Sequence, residues 1–356
     1  MDNPTTLFRV GLLGYGFASK TFHAPLLTHV DGLELRAIAS RDPSKVAADL
    51  PDISVETDLA RLIASPDLDV IVIATPNDTH APLAAAALHA GKHVVVDKPL
   101  TLDLAEARGL FQLAKEVGRH LMVFHNRRWD SDYLSVRQAI QQATIGEVNH
   151  FESHFDRFRP EVRDRWRERA GPGSGAWWDL GPHLIDQALQ LFGLPDYVQG
   201  NLTHHRFGSQ TTDWAHVVLE YGERRRVLLH VGMLVAGGTN RFTVHGSKGS
   251  LVKRQPDRQE TQLIDGMKPG APGWGADPDP IEVHNGSSTE KIPATPGDQR
   301  RIYAGLVDAL RGVSPIPVRP IDALAVMAVL EAAIQSSQNR CSLSLSLTSE
   351  ERAAWQ

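Results

Sequence analysis

A short apolar run over residues 8–13 ends in Gly14-Tyr15-Gly16-Phe17-Ala18-Ser19, and the residues after it can begin a helix. Strand, glycine turn, helix is the order a dinucleotide pyrophosphate requires. Glycines let the backbone turn tightly and approach the phosphates, while a helix N-terminus offers unpaired N–H groups at the positive end of its dipole. A Gly-x-Gly turn also forms for structural reasons alone, and the third glycine of the fuller pattern is absent here, with Ser19 nearby. Its context decides the reading. Up to about residue 124, apolar runs at 9–13, 33–39, 70–74, 93–96 and 121–124 alternate with stretches of helical spacing such as 83–90 and 104–117. The continuous apolarity of VIVIA and VVV suits strands covered on both faces. The expectation is an α/β fold opening on a Rossmann-type doubly wound parallel sheet, with ligands at the carboxyl ends of its strands.

The second strand bears on which dinucleotide is bound. An acidic residue about 20 positions past the glycine turn would grip the ribose 2′-hydroxyl of NAD. Ala39-Ser40-Arg41 stands there instead, and a hydroxyl with a guanidinium suits a 2′-phosphate. NADP is therefore preferred over NAD. Asp42 keeps NAD open, and Arg41-Asp42 also reads as a solvated turn before Pro43. After VIVIA comes Thr75-Pro76-Asn77-Asp78-Thr79-His80, at the edge where the cofactor is expected. Thr75, Pro76, Asn77 and His80 join Gly14, Gly16, Phe17, Ala18, Ser40 and Arg41 as cofactor candidates, although a capping turn would look the same and His80 has a structural reading in the first helical turn. Asp97-Lys98-Pro99 follows VVV directly, which places the ammonium of Lys98 near the nicotinamide and adds Asp97 and Lys98 to the set. Lysines after strands are also commonly solvated.

At 356 residues the chain exceeds the size at which one core keeps growing, so two domains are expected, 1–124 and 125–356. A helical pattern at 133–142 precedes alternation in which Val148, His150, Glu152 and His154 point one way and Asn149, Phe151, Ser153 and Phe155 the other. Strand patterns at 215–221, 226–233, 241–245 and 250–254, joined by Gly-rich turns, predict a C-terminal α+β domain with a large open, mainly antiparallel sheet. One face should pack on helices and the other on a second subunit, giving a homodimer or homotetramer. Residues 255–296, rich in Gly, Pro and Asp, read as a long loop. Helices are expected at 298–311 and 320–338, with an edge strand at 342–347.

Within this second part lies Gly175-Ala176-Trp177-Trp178-Asp179-Leu180-Gly181-Pro182-His183-Leu184-Ile185-Asp186. A helix beginning at Pro182 would set Asp179 and His183 near its N-terminus, four apart and able to face one pocket. Hydride transfer from a carbinol requires loss of the hydroxyl proton, and histidine has the pKa for that at neutral pH. A capped helix with a satisfied core histidine is the alternative. Asn126, Arg127, Trp129, Arg163 and Trp166 can bracket a polyol, with hydrogen bonds at its edge and an apolar face for its C–H side; a solvated charge run with a buried Trp is the other reading.

The glycine turn, ATPNDTH, VVVDKPL and the later Asp-x-Gly-x-His, in this order, resemble the Gfo/Idh/MocA family of glucose-fructose oxidoreductases and inositol dehydrogenases. Members usually carry Glu where this chain has Asp97. HNRRW, RDRW and FHAP (22–25) are similar to its NADP-dependent scyllo-inositol dehydrogenase branch. The resemblance implies an NADP-dependent oxidoreductase interconverting a secondary hydroxyl and a ketone on a cyclitol or sugar. Lys98 would orient and polarise the hydroxyl, Asp179 would bind the neighbouring oxygen, and His183 would be general base in oxidation and acid in reduction. Hydride chemistry itself belongs to the nicotinamide. Asp186 would support His183 or lie on the helix surface. Two alternatives stand beside this reading, a non-catalytic NADP-binding regulator and a reductase of a non-carbohydrate carbonyl. Lys98, Asp179 and His183 together weigh against the first, and Arg163, Arg165 and Asn126 against the second.

A net charge of -5 without a basic block gives no footprint for nucleic acid or an anionic membrane. No apolar run approaches the roughly 18 residues of a membrane span. The single cysteine, Cys341, excludes an internal disulfide and fits a reducing compartment. The first strand begins too early for a secretory leader, so a cytoplasmic protein is expected. Despite sixteen histidines, no His/Cys or carboxylate spacing indicates a metal site.

Overall fold

The computed structural model describes residues 7–355; the reading of the first residues as too short for a leader rests partly on residues outside that range. In the first part of the chain β1 (Phe8–Leu13), β2 (Leu33–Ala39), β3 (Ser54–Glu56), β4 (Val70–Ile73), β5 (His93–Val96) and β6 (Leu121–Val123) alternate with α1 (Ala24–Leu27), α2 (Pro43–Asp49), α3 (Leu59–Ala64), α4 (His80–His89) and α5 (Leu104–Glu116). The strands form one all-parallel sheet in the order β3-β2-β1-β4-β5-β6. This is the doubly wound Rossmann arrangement that the alternation predicts. All four residues of β4 are fully buried, as continuous apolarity requires of a central strand covered on both faces. Asp58 and Asp103 cap α3 and α5 by accepting from the backbone N–H of Ala60 and Glu106.

The helix after the glycine turn is not a regular one. Phe17 and Ala18 are α-helical, Ser19–His23 then winds as a π-helical turn, and Ala24–Leu27 returns to α-helix. Pro25 has no N–H to donate to the carbonyl of Thr21, so an unbroken α-helical ladder cannot run through this position.

The remainder of the chain holds α6 (Ser131–Gln141), β7 (Val148–Asp156), α7 (Ala176–Phe192), β8 (Tyr197–Thr203), β9 (Trp214–Tyr221), β10 (Arg225–Gly232), β11 (Phe242–Gly246), β12 (Gly249–Lys253), α8 (Gln259–Ile264), β13 (Ile281–His284), β14 (Thr289–Ile292), α9 (Arg300–Leu310), α10 (Pro320–Asn339) and α11 (Ser349–Trp355). Its eight strands form one sheet, β14-β13-β12-β11-β7-β10-β9-β8. All its pairings are antiparallel except β7 with β10, which run parallel with His154 opposite His230 and Asp156 opposite Gly232. The alternation of β7 holds from His150 to Asp156, with Phe151, Ser153 and Phe155 buried. It fails at the start, where Val148 is buried and Asn149 exposed. A register shift against β11 inserts one extra residue there and reverses the phase.

Several expectations need correction. The segment 255–296 is not one long loop, since it contains α8 and the β13–β14 hairpin. No strand forms at 342–347, where Leu343 makes a single bridge to Val198. Helix α7 begins at Ala176 rather than Pro182. Gly175 takes φ 97°, which starts the helix six residues early and leaves Pro182 inside it. Helix α10 is long and apolar enough to cross a membrane by composition, against the expectation of no such run, but 72% of its apolar window is buried inside the protein. The domain division also differs. The first compact unit runs through Asn126 and adds Gln259–Trp274 and Asp298–Ala323; the second comprises Arg127–Arg258, Gly275–Gly297 and the chain from Leu324 onward. The expected 125–356 domain is therefore not continuous.

Candidate functional site

In the first unit the glycine turn leaves β1 at Gly14, whose φ of +87° and whose 3.0 Å approach of a would-be Cβ to the carbonyl of Ala74 both demand glycine. A Cβ at Gly16 would meet nothing within 4 Å, so the backbone there borders open space. Phe17 is exposed and rests edge-on against Phe22, and Ala18 is half-buried. Behind them the buried hydroxyl of Ser19 has no hydrogen-bond partner. A bare turn, an orphaned hydroxyl and a free approach are what a phosphate-bearing ligand would use. Tyr15 and Lys20 both reach Asp49 of α2, at 3.2 and 2.7 Å, and fix the turn from the other side.

At the end of β2 the Ser40 hydroxyl pairs with the Asp42 backbone at 3.1 Å, and the Arg41 side chain is exposed. Asp42 is engaged by Ser44 and lies 3.4 Å from Lys45. The Ser44 hydrogen bond is the main cause holding its carboxyl below the usual range. Of the two side chains that bear on cofactor choice, the anion is thus tied into its own helix start.

The turn after β4 is braced internally. Thr75 and Thr79 share a 2.6 Å hydroxyl contact, and Asn77 is buried. The His80 ring lies 3.0 Å from the carbonyl of Thr75 and 2.8 Å from that of Pro99, tying the turn around Pro76 to the segment after β5. There Asp97 and Lys98 are both more than nine-tenths buried, and Asp97 accepts the backbone N–H of Lys98 at 2.9 Å. The Lys98–Pro99 peptide is cis.

Beneath Asp97 lies a residue that the pattern of carboxylates and lysines did not single out. His23, fully buried, contacts the Tyr303 hydroxyl at 2.7 Å, packs on Phe124, and has its other nitrogen 4.0 Å from Asp97. Burial pushes its pKa down to about 4, with the Asp97 charge opposing. Its only sequence signal is the FHAP string. Asn126 closes this unit's share, its amide donating to Gln299 at 3.0 Å.

In the second unit α7 carries Asp179 in its first turn and His183 one turn later, 6% exposed and edge-on to Phe155. Asp179 lies 3.4 Å from Arg167, whose guanidinium covers the Trp166 ring at 4.5 Å. A small cleft beside Asp179 is lined by Arg165, Arg167, Arg206, Thr211 and Met233. Glu168 organises the arginines: its carboxylate takes the backbone N–H of Arg163 at 2.9 Å and the side chains of Arg165 and Arg206 at 2.9 and 3.0 Å. Burial would raise its pKa, and these contacts outweigh that and hold it below the usual range. The side chain of Arg163 is exposed.

Of the HNRRW residues, Arg127 bonds Asp130 at 3.0 Å and lies over the Phe155 ring, while Trp129 is half-buried. Asp186 does not lie on the surface. It is buried in a fork with Arg128, the shortest contact 2.6 Å.

Residues 8–125 match the description "Oxidoreductase family, NAD-binding Rossmann fold", and residues 137–345 match "Oxidoreductase family, C-terminal alpha/beta domain". The chain belongs to the Gfo/Idh/MocA oxidoreductase family. Over 341 residues this family member is 50% identical to the uncharacterized oxidoreductase YdgJ of Escherichia coli, across 95% of this chain and 98% of that protein. It is 35% identical over 343 residues to the scyllo-inositol 2-dehydrogenase (NADP(+)) IolW of Bacillus subtilis, across 95% and 96% of the two chains. An oxidoreductase structure from Klebsiella pneumoniae superposes with a TM-score of 0.93 at 54% identity, over 99% of this chain and 98% of that one. The Rossmann unit of this oxidoreductase is thereby an NAD(P)-binding domain.

Proposed function

We propose that the protein is an NADP-dependent dehydrogenase interconverting a secondary hydroxyl and a ketone on a cyclitol or sugar. One observation carries the reading: a buried His183 one helical turn from Asp179, retained in the same chain as a buried Lys98 after β5. A protein that merely bound a dinucleotide would need none of the three. The name of the B. subtilis relative, similar over nearly the full length of both chains, supports the substrate class and the cofactor.

In this reading the cofactor rests on the Gly14–Gly16 turn, Phe17 and Ala18. Ser40 and Arg41 take the 2′-phosphate, and the Thr75–Asn77 turn, His80 and Asp97 complete the cradle. When bound, the nicotinamide supplies the hydride acceptor and donor. Lys98 donates to the reacting oxygen and stabilises its developing negative charge, because an ammonium in a buried setting acts with little solvent screening. Asp179 accepts from the adjacent hydroxyl and fixes which carbon reacts. His183 removes the hydroxyl proton in oxidation and returns it in reduction. Arg127, Trp129, Arg163, Trp166 and Asn126 shape the polyol subsite.

The test is absorbance at 340 nm with NADP or NAD and a panel of inositols and aldoses. NADP reduction with one polyol, and a loss of about 10²–10⁴-fold in kcat/KM for His183→Ala with NADPH binding intact, is the expected outcome. Near-wild-type turnover in that variant would end the proton-transfer assignment.

A further inference from the structure

One cluster of metal-ligating side chains takes no part in this proposal. On β7 His150, Glu152, His154 and Asp156 occupy one face of the large sheet, opposite the buried Phe151, Ser153 and Phe155. The parallel pairing of β7 with β10 sets His230 beside His154 on that same face and places Gly232, which has no side chain, beside Asp156. His154, Asp156 and His230 bring one nitrogen or oxygen each to within 4.8 Å of one another.

From this geometry we infer that His154, Asp156 and His230 bind a divalent transition-metal ion of the zinc class. Zinc takes imidazole nitrogen and carboxylate oxygen at about 2.0–2.2 Å, so neighbouring ligand atoms of a tetrahedral ion lie roughly 3.3 Å apart. Each histidine already stands at about that distance from the Asp156 carboxylate, one at each of its two oxygens. His154 Nδ1 is 3.1 Å from Asp156 Oδ2, and His230 Nε2 is 3.4 Å from Asp156 Oδ1.

Further observations point to a ligand. The Asp156 side chain is only 2% exposed, yet its Oδ1 has no hydrogen-bond partner, a costly state for a buried carboxylate oxygen that a cation would relieve. Its other oxygen accepts from Thr239 at 2.7 Å, which fixes the carboxylate plane. His154 is also held from behind, with its Nε2 3.2 Å from Glu152. A carboxylate on the far nitrogen selects the tautomer and orients the ring of a metal-binding histidine. The absence of a side chain at Gly232 matters too, since a Cβ there would sit 3.0 Å from Asp156 Oδ1 and 3.2 Å from His230 Nε2, in the space an ion would use. An open depression lined by Glu152, His154, Thr239 and Asn240 gives an entry path from solvent.

The test uses the full-length protein stripped with chelator, titrated with zinc chloride alone by calorimetry and with cobalt(II) by visible absorption. One zinc per chain and a four- or five-coordinate cobalt spectrum are expected. The double variant His154→Ala/His230→Ala should lose both signals. Glu152→Gln should weaken binding by about 10–100-fold, the effect of removing an outer carboxylate from a metal-bound histidine. Asp156→Asn, which keeps the side chain's size and its bond to Thr239, guards against misfolding and should weaken zinc at least as much as Glu152→Gln. Cys341→Ser should leave binding unchanged. Absence of binding at about 100 µM zinc, or equal binding by wild type and Asp156→Asn, would overturn the inference and leave the cluster as an ion-pair network.

Discussion

Two side chains show how local chemistry separates roles. Arg41 is exposed at the end of β2 while Asp42 is occupied by Ser44 and Lys45. If Arg41 grips the 2′-phosphate, Arg41→Ala removes a charge-assisted hydrogen bond worth about 1.5–3 kcal/mol. NADPH affinity should then fall by about 10–100-fold and NADH affinity stay nearly constant, as read by quenching of protein fluorescence. His23 sits at the other extreme of solvation. Its folded pKa of about 4 lies below the ordinary value near 6.5, so the folded chain stays neutral at this residue while the unfolded chain takes a proton. Stability from this source is complete above about pH 6.5 and is lost as pH falls toward 4, by up to about 3 kcal/mol. Urea midpoints measured between pH 7 and 4 should show that decline, and His23→Gln should flatten it. What could be read in sequence at this scale was whatever a short string determines: the glycine turn, Arg41, and Lys98 directly after its strand. The His23–Tyr303 contact joins residues far apart in the chain, and no local pattern announces it. The same holds for Arg128 with Asp186, 58 residues apart in the chain, whose opposite charges meet in the interior.

At the scale of elements, α7 is the clearest departure from expectation. A proline is normally tolerated in the first helical turn, so Pro182 marked a start. The true start is set by Gly175, whose positive φ lets its backbone lie against Thr212, with a would-be Cβ 3.0 Å from that carbonyl. That approach comes from another part of the unit and is invisible in the string GPGSG. Gly181 has a separate reason to be glycine. A Cβ there would come within 2.9 Å of the ring of Trp177, itself 1% exposed. Gly181→Ala gains about 1 kcal/mol of helix propensity but overpacks a filled core at about 1–3 kcal/mol. A lower urea midpoint and an altered near-UV signal from the tryptophans are expected; a raised midpoint would show that the ring yields freely. Strand patterns fared better than loops: β2 and β5 coincide with the runs expected of them, β5 because its three valines are all buried and β2 because Leu33, Leu35, Ile38 and Ala39 are buried around an exposed Arg36. The β13–β14 hairpin was hidden by its Gly- and Pro-rich flanks, and β14 itself is largely exposed.

At the scale of the molecule, the parallel sheet and the large mixed sheet were both legible, the first from strand–helix alternation and the second from two-residue periodicity. The single parallel pairing in the second sheet was not, since β7 and β10 carry no mark of direction. Yet that pairing alone puts His154 next to His230. Nor could composition show that segments after residue 258 return to the first unit. That return has a consequence in time. The chain passes from one unit to the other after residues 126, 258, 274, 297 and 323. As the protein leaves the ribosome, the first unit waits for α8 and α9, and with them Tyr303, until most of the second has been made. During that interval His23 and Phe124 lack the ring that covers them. A nascent chain stalled near residue 130 would therefore expose an unfinished core, and this is the window in which a chaperone would find it.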